Sequence, residues 1–290
     1  MSLDRLAGAP ISWGVCEVPG WGYQLSPERV LAEMASVGMA ATEFGPDGFL
    51  PDAPQEKVAL LASYGLVAVG GFVPVVLHDP ARDVLAAINP VLSAFATAGA
   101  DTLVLAADTG LTGYDERVVL DGDQWKTMLT NLDRISDAGA EHGILATLHP
   151  HVGTIIEREP EVARVLDSSS IALCLDTGHL LIGGNDPARL AREVPDRIAH
   201  THLKDVNADL AHSVQKGQMS YSAAVKAGMY RPLGTGDVDI AGIVSSLEAN
   251  GYTGWYVLEQ DTVLGAEPAE DAGPIEDVRA SLAFVAELAK

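Results

Sequence analysis

The chain has 290 residues, 40 acidic against 18 basic, for a net charge of −22 with 48% hydrophobic residues and two cysteines. So acidic a balance repels nucleic-acid backbones and anionic membrane surfaces, and the apolar content excludes a disordered chain. No apolar run reaches the roughly 18 residues that span a bilayer. The opening MSLDRLAGAPISWG lacks a signal-peptide pattern, and Cys16 and Cys174 form no CxxC, so a reducing cytoplasm is the expected compartment.

In chain order, short apolar runs alternate with helical stretches. Residues 9–14 read as a first strand. Residues 26–38 read as a helix, with Ser26 as N-cap, Pro27 at the first position and Gly38 as terminator. Strand 40–44, helix 53–65 and strand 66–73 follow. Helix 83–99 contains Pro90, which predicts a kink or a restart. Then come strand 101–107, helix 123–142, strand 143–149, helix 159–169, strand 171–176, helix 186–194 and strand 197–203. Helix 239–251, strand 254–260 and helix 274–289 complete the chain. Eight apolar strands in strict alternation with eight helices imply a parallel sheet closed into a (β/α)8 TIM barrel. A Rossmann reading would need GxGxxG between a strand and a helix, and none is placed so. With no linker or compositional break, residues 1–290 form one expected domain. The irregular stretch 206–237, with Met219, Tyr221, Met229, Tyr230 and Arg231, reads as a lid or subunit contact, and the acidic 261–273 as a second long loop.

Chemistry gathers at strand ends. Glu43, His149, Asp176, His202 and Glu259 close otherwise apolar runs, and five of the eight histidines lie between 149 and 202. In a βα barrel these ends converge on one mouth. Two imidazoles and two carboxylates from adjacent strands, His149, Asp176, His202 and Glu259, can surround one divalent ion. Mixed N/O donors suit Mn2+, Co2+, Zn2+ or Fe2+ better than Ca2+.

Each position also has a plainer reading. A lone histidine is more often a core residue bonded to a carbonyl, but four aligned strand ends favour ligands. Asp176 could instead cap the turn before Gly178. His179 is a further ligand, a support behind the ligands or a helix-start residue, with the second favoured. His200 shares a strand face with His202 and either supports it or packs deeper. Lys204, two residues on, is a surface lysine or a proton carrier with a lowered pKa. Glu43 is an ion-pair partner in the mouth, a holder of substrate hydroxyls or an acid/base. Trp13 either stacks on a sugar face or plugs the barrel.

The segments GAPISWGVCEVPGWG, TEFGPDGFLP, LHPHVGTIIE, CLDTGHLLIGG, HTHLKDV, PLGTGDVDI and GYTGWYVLEQD, taken in order, resemble the inosose (2-keto-myo-inositol) dehydratase family within the xylose isomerase-like TIM barrels. The resemblance runs from about residue 9 to residue 261. DTGH, HxHLKD and GYxGWxxxExD belong to the wider superfamily, while TEFGPDGFLP and HPHVGT point to the dehydratase branch. It implies a metal, Mn2+ or Co2+ foremost with Zn2+, Fe2+ or Mg2+ compatible, held by His149, Asp176, His202 and Glu259. It implies no nicotinamide. His149 stands where many superfamily members have glutamate.

The resemblance further implies loss of water from a keto polyol through an enediolate. Lys204 or Glu43 is then the candidate base, His151 or Glu157 the candidate acid, and Asp205 orients Lys204 or His202. Aldose–ketose isomerisation or ketose 3-epimerisation would use the same metal site. An apurinic-site endonuclease shares DTGH and HxH but needs a basic face, against the charge found here. A non-catalytic sugar-binding protein is the remaining class. The expected partners are a small keto polyol or sugar and a second copy of the chain in a homodimer or homotetramer.

Overall fold

Strand β1 (Leu6–Gly8) opens the barrel in the computed structural model, which describes residues 2–289. In chain order there follow α1 (Pro27–Ser36), β2 (Ala41–Thr42), α2 (Pro54–Ser63), β3 (Val67–Ala68), β4 (Gly70–Val75), α3 (Val84–Ala98), β5 (Thr102–Ala107), α4 (Gly122–Glu141), β6 (Leu145–Leu148) and α5 (Glu159–Ser168). The second half holds β7 (Ala172–Asp176), α6 (Thr177–Ile182), α7 (Pro187–Glu193), β8 (Ile198–Leu203), β9 (Asp205–Val206), α8 (Ala208–Gln215), α9 (Tyr221–Lys226), β10 (Tyr230–Arg231), α10 (Ile240–Ala249), β11 (Tyr256–Leu258) and α11 (Pro274–Leu288).

The main sheet is parallel, ordered β3-β2-β1-β11-β8-β7-β6-β5-β4. Its two ends are halves of one predicted strand. β3 pairs with β2, β4 pairs with β5, and Val69 between them bonds both ways: its N–H donates to Thr42 O (3.0 Å), and its O accepts from Thr102 N (3.1 Å). The strand therefore closes the ring, and the expected eight-stranded TIM barrel is present.

Three expectations need correction. The first strand lies earlier, at Leu6–Gly8 in register with Tyr256–Leu258. Residues Pro10–Trp13 wind into a 3-10 turn instead, because Pro10 brings no N–H to a ladder, and Gly14 ends the turn at φ 82°. Pro90 neither stops nor restarts α3, which runs unbroken from an Asp83 cap. Both Pro90 and Ala86, whose carbonyl loses its helical donor, are exposed, so that carbonyl is open to solvent. The stretch 206–237 is structured rather than irregular: it holds α8, α9 and the antiparallel pair β9–β10.

Side chains such as Leu31, Met34, Ile88, Leu92, Leu103 and Met128 are fully buried in the main apolar core. Each contributes roughly 1.5–3 kcal/mol relative to exposure. A second apolar cluster, with Trp21, Val152, Ile182, Tyr221, Val225, Met229 and Tyr230, packs the 206–237 segment onto its own mouth. Tyr221, Met229 and Tyr230 thus turn inward, leaving Arg231 exposed. Among the described residues no helix is long and apolar enough to cross a membrane.

Candidate active site and metal centre

The mouth follows from strand register. Asp176 on β7 lies level with His202 on β8, which lies level with Val257 on β11. Glu259 comes two residues after Val257, so its side chain enters on the same face. His149 directly follows β6, whose Leu148 is level with Leu173 of β7.

Three of the four predicted ligands meet at one oxygen, and the fourth, Glu259, joins them through His202. Asp176 Oδ2 lies 3.2 Å from His149 Nε2 and 3.5 Å from His202 Nδ1, and His202 Nδ1 lies 2.6 Å from Glu259 Oε2. The other oxygen of Asp176 accepts the His179 N–H at 2.7 Å and caps α6. Asp176 thus caps α6 with one oxygen and leaves the other among the histidines. Lys204 Nζ contacts Asp261 (2.5 Å), Glu259 (3.0 Å), Asp176 (3.6 Å) and His179 Nε2 (3.1 Å). DTGH needs its glycine here, since a Cβ on Gly178 would stand 2.7 Å from Lys204 Cβ.

These residues fit a divalent cation. Asp176, His202 and Glu259 each offer a donor atom within 4.8 Å of the others, and all three are largely removed from water. His202 Nδ1 and Glu259 Oε2 face one another with no hydrogen-bond partner, and His149 Nδ1 is likewise buried without one. Buried polar atoms left so are costly. A cation among two imidazoles and two carboxylates would satisfy His202 Nδ1 and Glu259 Oε2, with His149 offering Nε2, its nitrogen nearest Asp176, and that donor set suits a first-row transition ion.

Charge is sharply partitioned. Burial would raise the carboxyls of Asp176 and Glu259, but Lys204 and the neighbouring histidines hold Asp176 well below its usual range and Glu259 at about 2. Burial would lower the Lys204 ammonium, yet Asp261, Glu259 and Asp176 hold it well above its ordinary value. The expected lowered pKa is therefore corrected: three carboxylates surround this lysine. His151 goes the other way. Burial, with His149 and Lys204 beside it, brings it down to about 3. Its Nδ1 lies 2.7 Å from Val152 O, and its ring stacks 3.7 Å from that of His179. A neutral ring donating from Nδ1 leaves Nε2 as a hydrogen-bond acceptor, and a ring so lowered carries no proton to give near neutral pH.

Other expectations shift. Glu43 takes the first of its three readings, as a partner of charged or polar groups in the mouth: its Oε1 lies 2.9 Å from His200 Nε2 and 3.0 Å from His202 Nε2. Glu157 is not at the mouth chemistry: it binds Arg117 (2.5 Å) and the Gly153 N–H (2.8 Å) and lies outside the cavity lining. Asp205 orients neither Lys204 nor His202. Its carboxylate accepts from the backbone N–H groups of Val206, Gly234, Gly236 and Val238 and ties down the 206–237 segment. Gly236 is required there, since a Cβ would meet Asp205 at 2.3 Å. Trp13 touches no substrate space: it is fully buried, and its indole N–H donates to Glu33 on α1 at 2.8 Å.

The cavity holds about 230 Å³. His149, His151, His202, Lys204, Glu259 and Asp261 line one side, and Phe44, Leu50, Phe72, Val73 and Phe95 also face it. Asp261 was missed in the sequence, although its position two residues past Glu259 puts it on the same alternating face. It binds Lys204 and the Tyr221 hydroxyl, and Tyr221 meets Tyr230 at 2.9 Å. The aromatic residues of the 206–237 segment thus reach the lysine from above.

A (β/α)8 barrel with a cation-ready cluster at the carboxyl ends of its later strands defines the class. The chain matches the xylose isomerase-like TIM barrel family over residues 31–288, and it belongs to that family. It is 30% identical over 280 residues to an inosose dehydratase of Geobacillus thermodenitrificans, covering 92% of this chain and 93% of that one. It is 33% identical over 269 residues to the rhizopine catabolism protein MocC of Rhizobium meliloti, covering 89% and 81%. Among solved structures, an L-ribulose 3-epimerase shares the fold at a TM-score of 0.70 with 16% identity, over 98% of this chain and 94% of that one.

Proposed function

We propose that this chain is a metal-dependent hydro-lyase removing water from a 2-keto polyol of the 2-keto-myo-inositol kind. The observation that carries the reading is the set of contacts joining His149, Asp176, His202 and Glu259 beside a buried Lys204, in a chain about 30% identical to an inosose dehydratase over nearly its whole length. The four residues would hold the ion, which supplies Lewis acidity toward a ketone oxygen when bound. Mn2+ or Co2+ matches the donor set, and no nicotinamide is needed for a reaction without net redox change.

The chain's own groups then divide the proton work. His151, neutral with Nε2 open, accepts the proton from the carbon next to the ketone. Lys204, held as an ammonium by Asp261, Glu259 and Asp176, stabilises the negative charge that appears and donates toward the departing β-hydroxyl. The C–H electrons form the new C=C bond, the C–O bond breaks, and the hydroxyl leaves as water. The resulting enol tautomerises to a diketone. Phe72, Phe44 and Tyr221 of the covering segment line the space around these groups and limit bulk water.

Mass spectrometry of 2-keto-myo-inositol with the protein and Mn2+ or Co2+, beside a chelator control, tests this reading. The expected result is metal-dependent loss of one water. An unchanged mass with a rearranged carbonyl or inverted centre would make the chain an isomerase or 3-epimerase. Binding without turnover would make it a sugar-binding protein.

A further inference from the structure

Glu43 stands outside the proton work just described, yet it is buried, and one of its oxygens is committed twice. Oε1 lies 2.9 Å from His200 Nε2 and 3.0 Å from His202 Nε2. An ionised carboxylate can only accept, so both rings must carry their proton on Nε2. On His202 that leaves Nδ1 as the nitrogen toward Glu259 Oε2 (2.6 Å) and Asp176 Oδ2 (3.5 Å). That same Nδ1 has no hydrogen-bond partner. His200 is wholly buried, and its role is to complete the clamp on Glu43 from the same strand, two residues before His202.

We infer that Glu43 is a positioning residue, whose carboxylate holds His202 from the opposite side of the ring so that Nδ1 is presented to the cation. The inference rests on the metal-site reading above. Its physical basis is that a histidine ligand oriented through its other N–H has a fixed tautomer and a fixed ring plane, and that loss of such an acceptor typically weakens metal binding roughly 10–100-fold. The geometry also separates Glu43 from the four ligands: it contacts His202 at Nε2, while Asp176 and Glu259 contact it at Nδ1. The strand order explains the reach, since β2 stands beside β1, β1 beside β11 and β11 beside β8. Glu43 follows β2 at the same level, its N–H bonded to Gly8 O at 2.9 Å.

The test is a Co2+ titration of the metal-free protein, read by visible absorption and by competition with a chelator. It is run on the unsubstituted chain and on Glu43→Ala, Glu43→Leu and Glu43→Gln. One Co2+ per chain is expected throughout. Glu43→Ala and Glu43→Leu should bind it roughly 10–100-fold more weakly, with an altered absorption band as the ring loses its fixed plane. Glu43→Gln, whose amide oxygen still accepts both N–H groups, should recover most of the affinity. Leucine fills the space of the carboxylate, so it reports even if the alanine variant does not fold. Two ions in the unsubstituted chain falling to one in the variants would overturn the inference, because Glu43 would then be a ligand with His200 and His202. Unchanged affinity in all three variants would overturn it too. Failure of the unsubstituted chain to take up Co2+ at all would instead remove the metal site itself, and the inference with it.

Discussion

The two ends of this barrel handle charge in opposite ways. At the floor, where strands begin, Arg5 donates to Tyr252 O (2.9 Å) and Gly254 O (3.1 Å), pairs with Glu248 (2.7 Å) and lies against the Tyr252 and Tyr256 rings. Arg197 donates to Leu166 O, Ser169 O and Ile171 O, each at 2.8 Å. Both cations tie the carbonyls that precede one strand to the chain that precedes the next. At the mouth, by contrast, Asp176, Glu259, His149 and His202 crowd together and leave several atoms unpartnered. The floor cations meet carbonyl and carboxylate partners, whereas the mouth leaves donor atoms open, as the proposed metal site requires. In a barrel of this kind the floor carries stability and the mouth carries chemistry. Substitutions at the two ends should therefore separate into two classes of effect.

The largest effect belongs to the mouth. His202→Ala or Glu259→Ala should lose bound metal and, with it, at least about a thousand-fold in kcat/KM, while the circular dichroism of the barrel is retained. Full activity without metal in either variant would break the distinction. Lys204→Met sharpens it: metal should still bind, but kcat should fall by roughly 10²–10⁴, the usual worth of a positioned proton donor. That variant also leaves Asp261 without its cation, so its metal-free form should melt earlier than the unsubstituted chain.

The opposite result is expected at the floor. Arg197→Ala strips the donor from three carbonyls and should cost about 2–4 kcal/mol, in the range for lost charged hydrogen bonds and unsatisfied carbonyls. The urea midpoint should fall, while metal affinity and the kcat of the folded fraction stay unchanged. A fall in metal affinity at a temperature where the variant is folded would show that floor and mouth are coupled.

How much of this could be read from the sequence follows the same division. The barrel and its four converging strand ends were legible, because apolar runs ending in His149, Asp176, His202 and Glu259 are a local pattern. The third strand read as one run, as it should, since Val67–Val75 is continuous in sequence; that its halves pair with different neighbours is a property of closure alone. Glu157 and Asp205 were misplaced because a loop carboxylate finds whichever donors the fold brings, here Arg117 for one and a ring of backbone amides for the other. Trp13 went astray with the first strand: once Pro10 turned the chain, the indole pointed toward α1 and Glu33. The covering helix α9 escaped because YSAAVK is too short to show a period, although the segment's aromatics had marked it.

The smallest effect is a pH dependence at the floor. Burial would raise the Glu248 carboxyl, but hydrogen bonds from Arg5 and from Tyr256 bring it below its ordinary value of 4.5. A carboxyl lowered in the folded state binds its proton more weakly there than in the unfolded chain. Its contribution to stability is therefore complete above pH 4.5 and is lost as the pH falls through the lowered folded value. The exposed edge of the pair keeps the contribution modest. Glu248→Gln should thus be slightly less stable than the unsubstituted chain near neutral pH, with the gap narrowing as the pH drops below 4.5. The comparison is made by urea unfolding in parallel at each pH, so that the titration of every other carboxylate cancels between the two proteins. A gap that stays constant would mean that shape and hydrogen bonding, rather than charge, hold β1 to the end of α10, and that the floor differs from the mouth in having no electrostatic dependence at all.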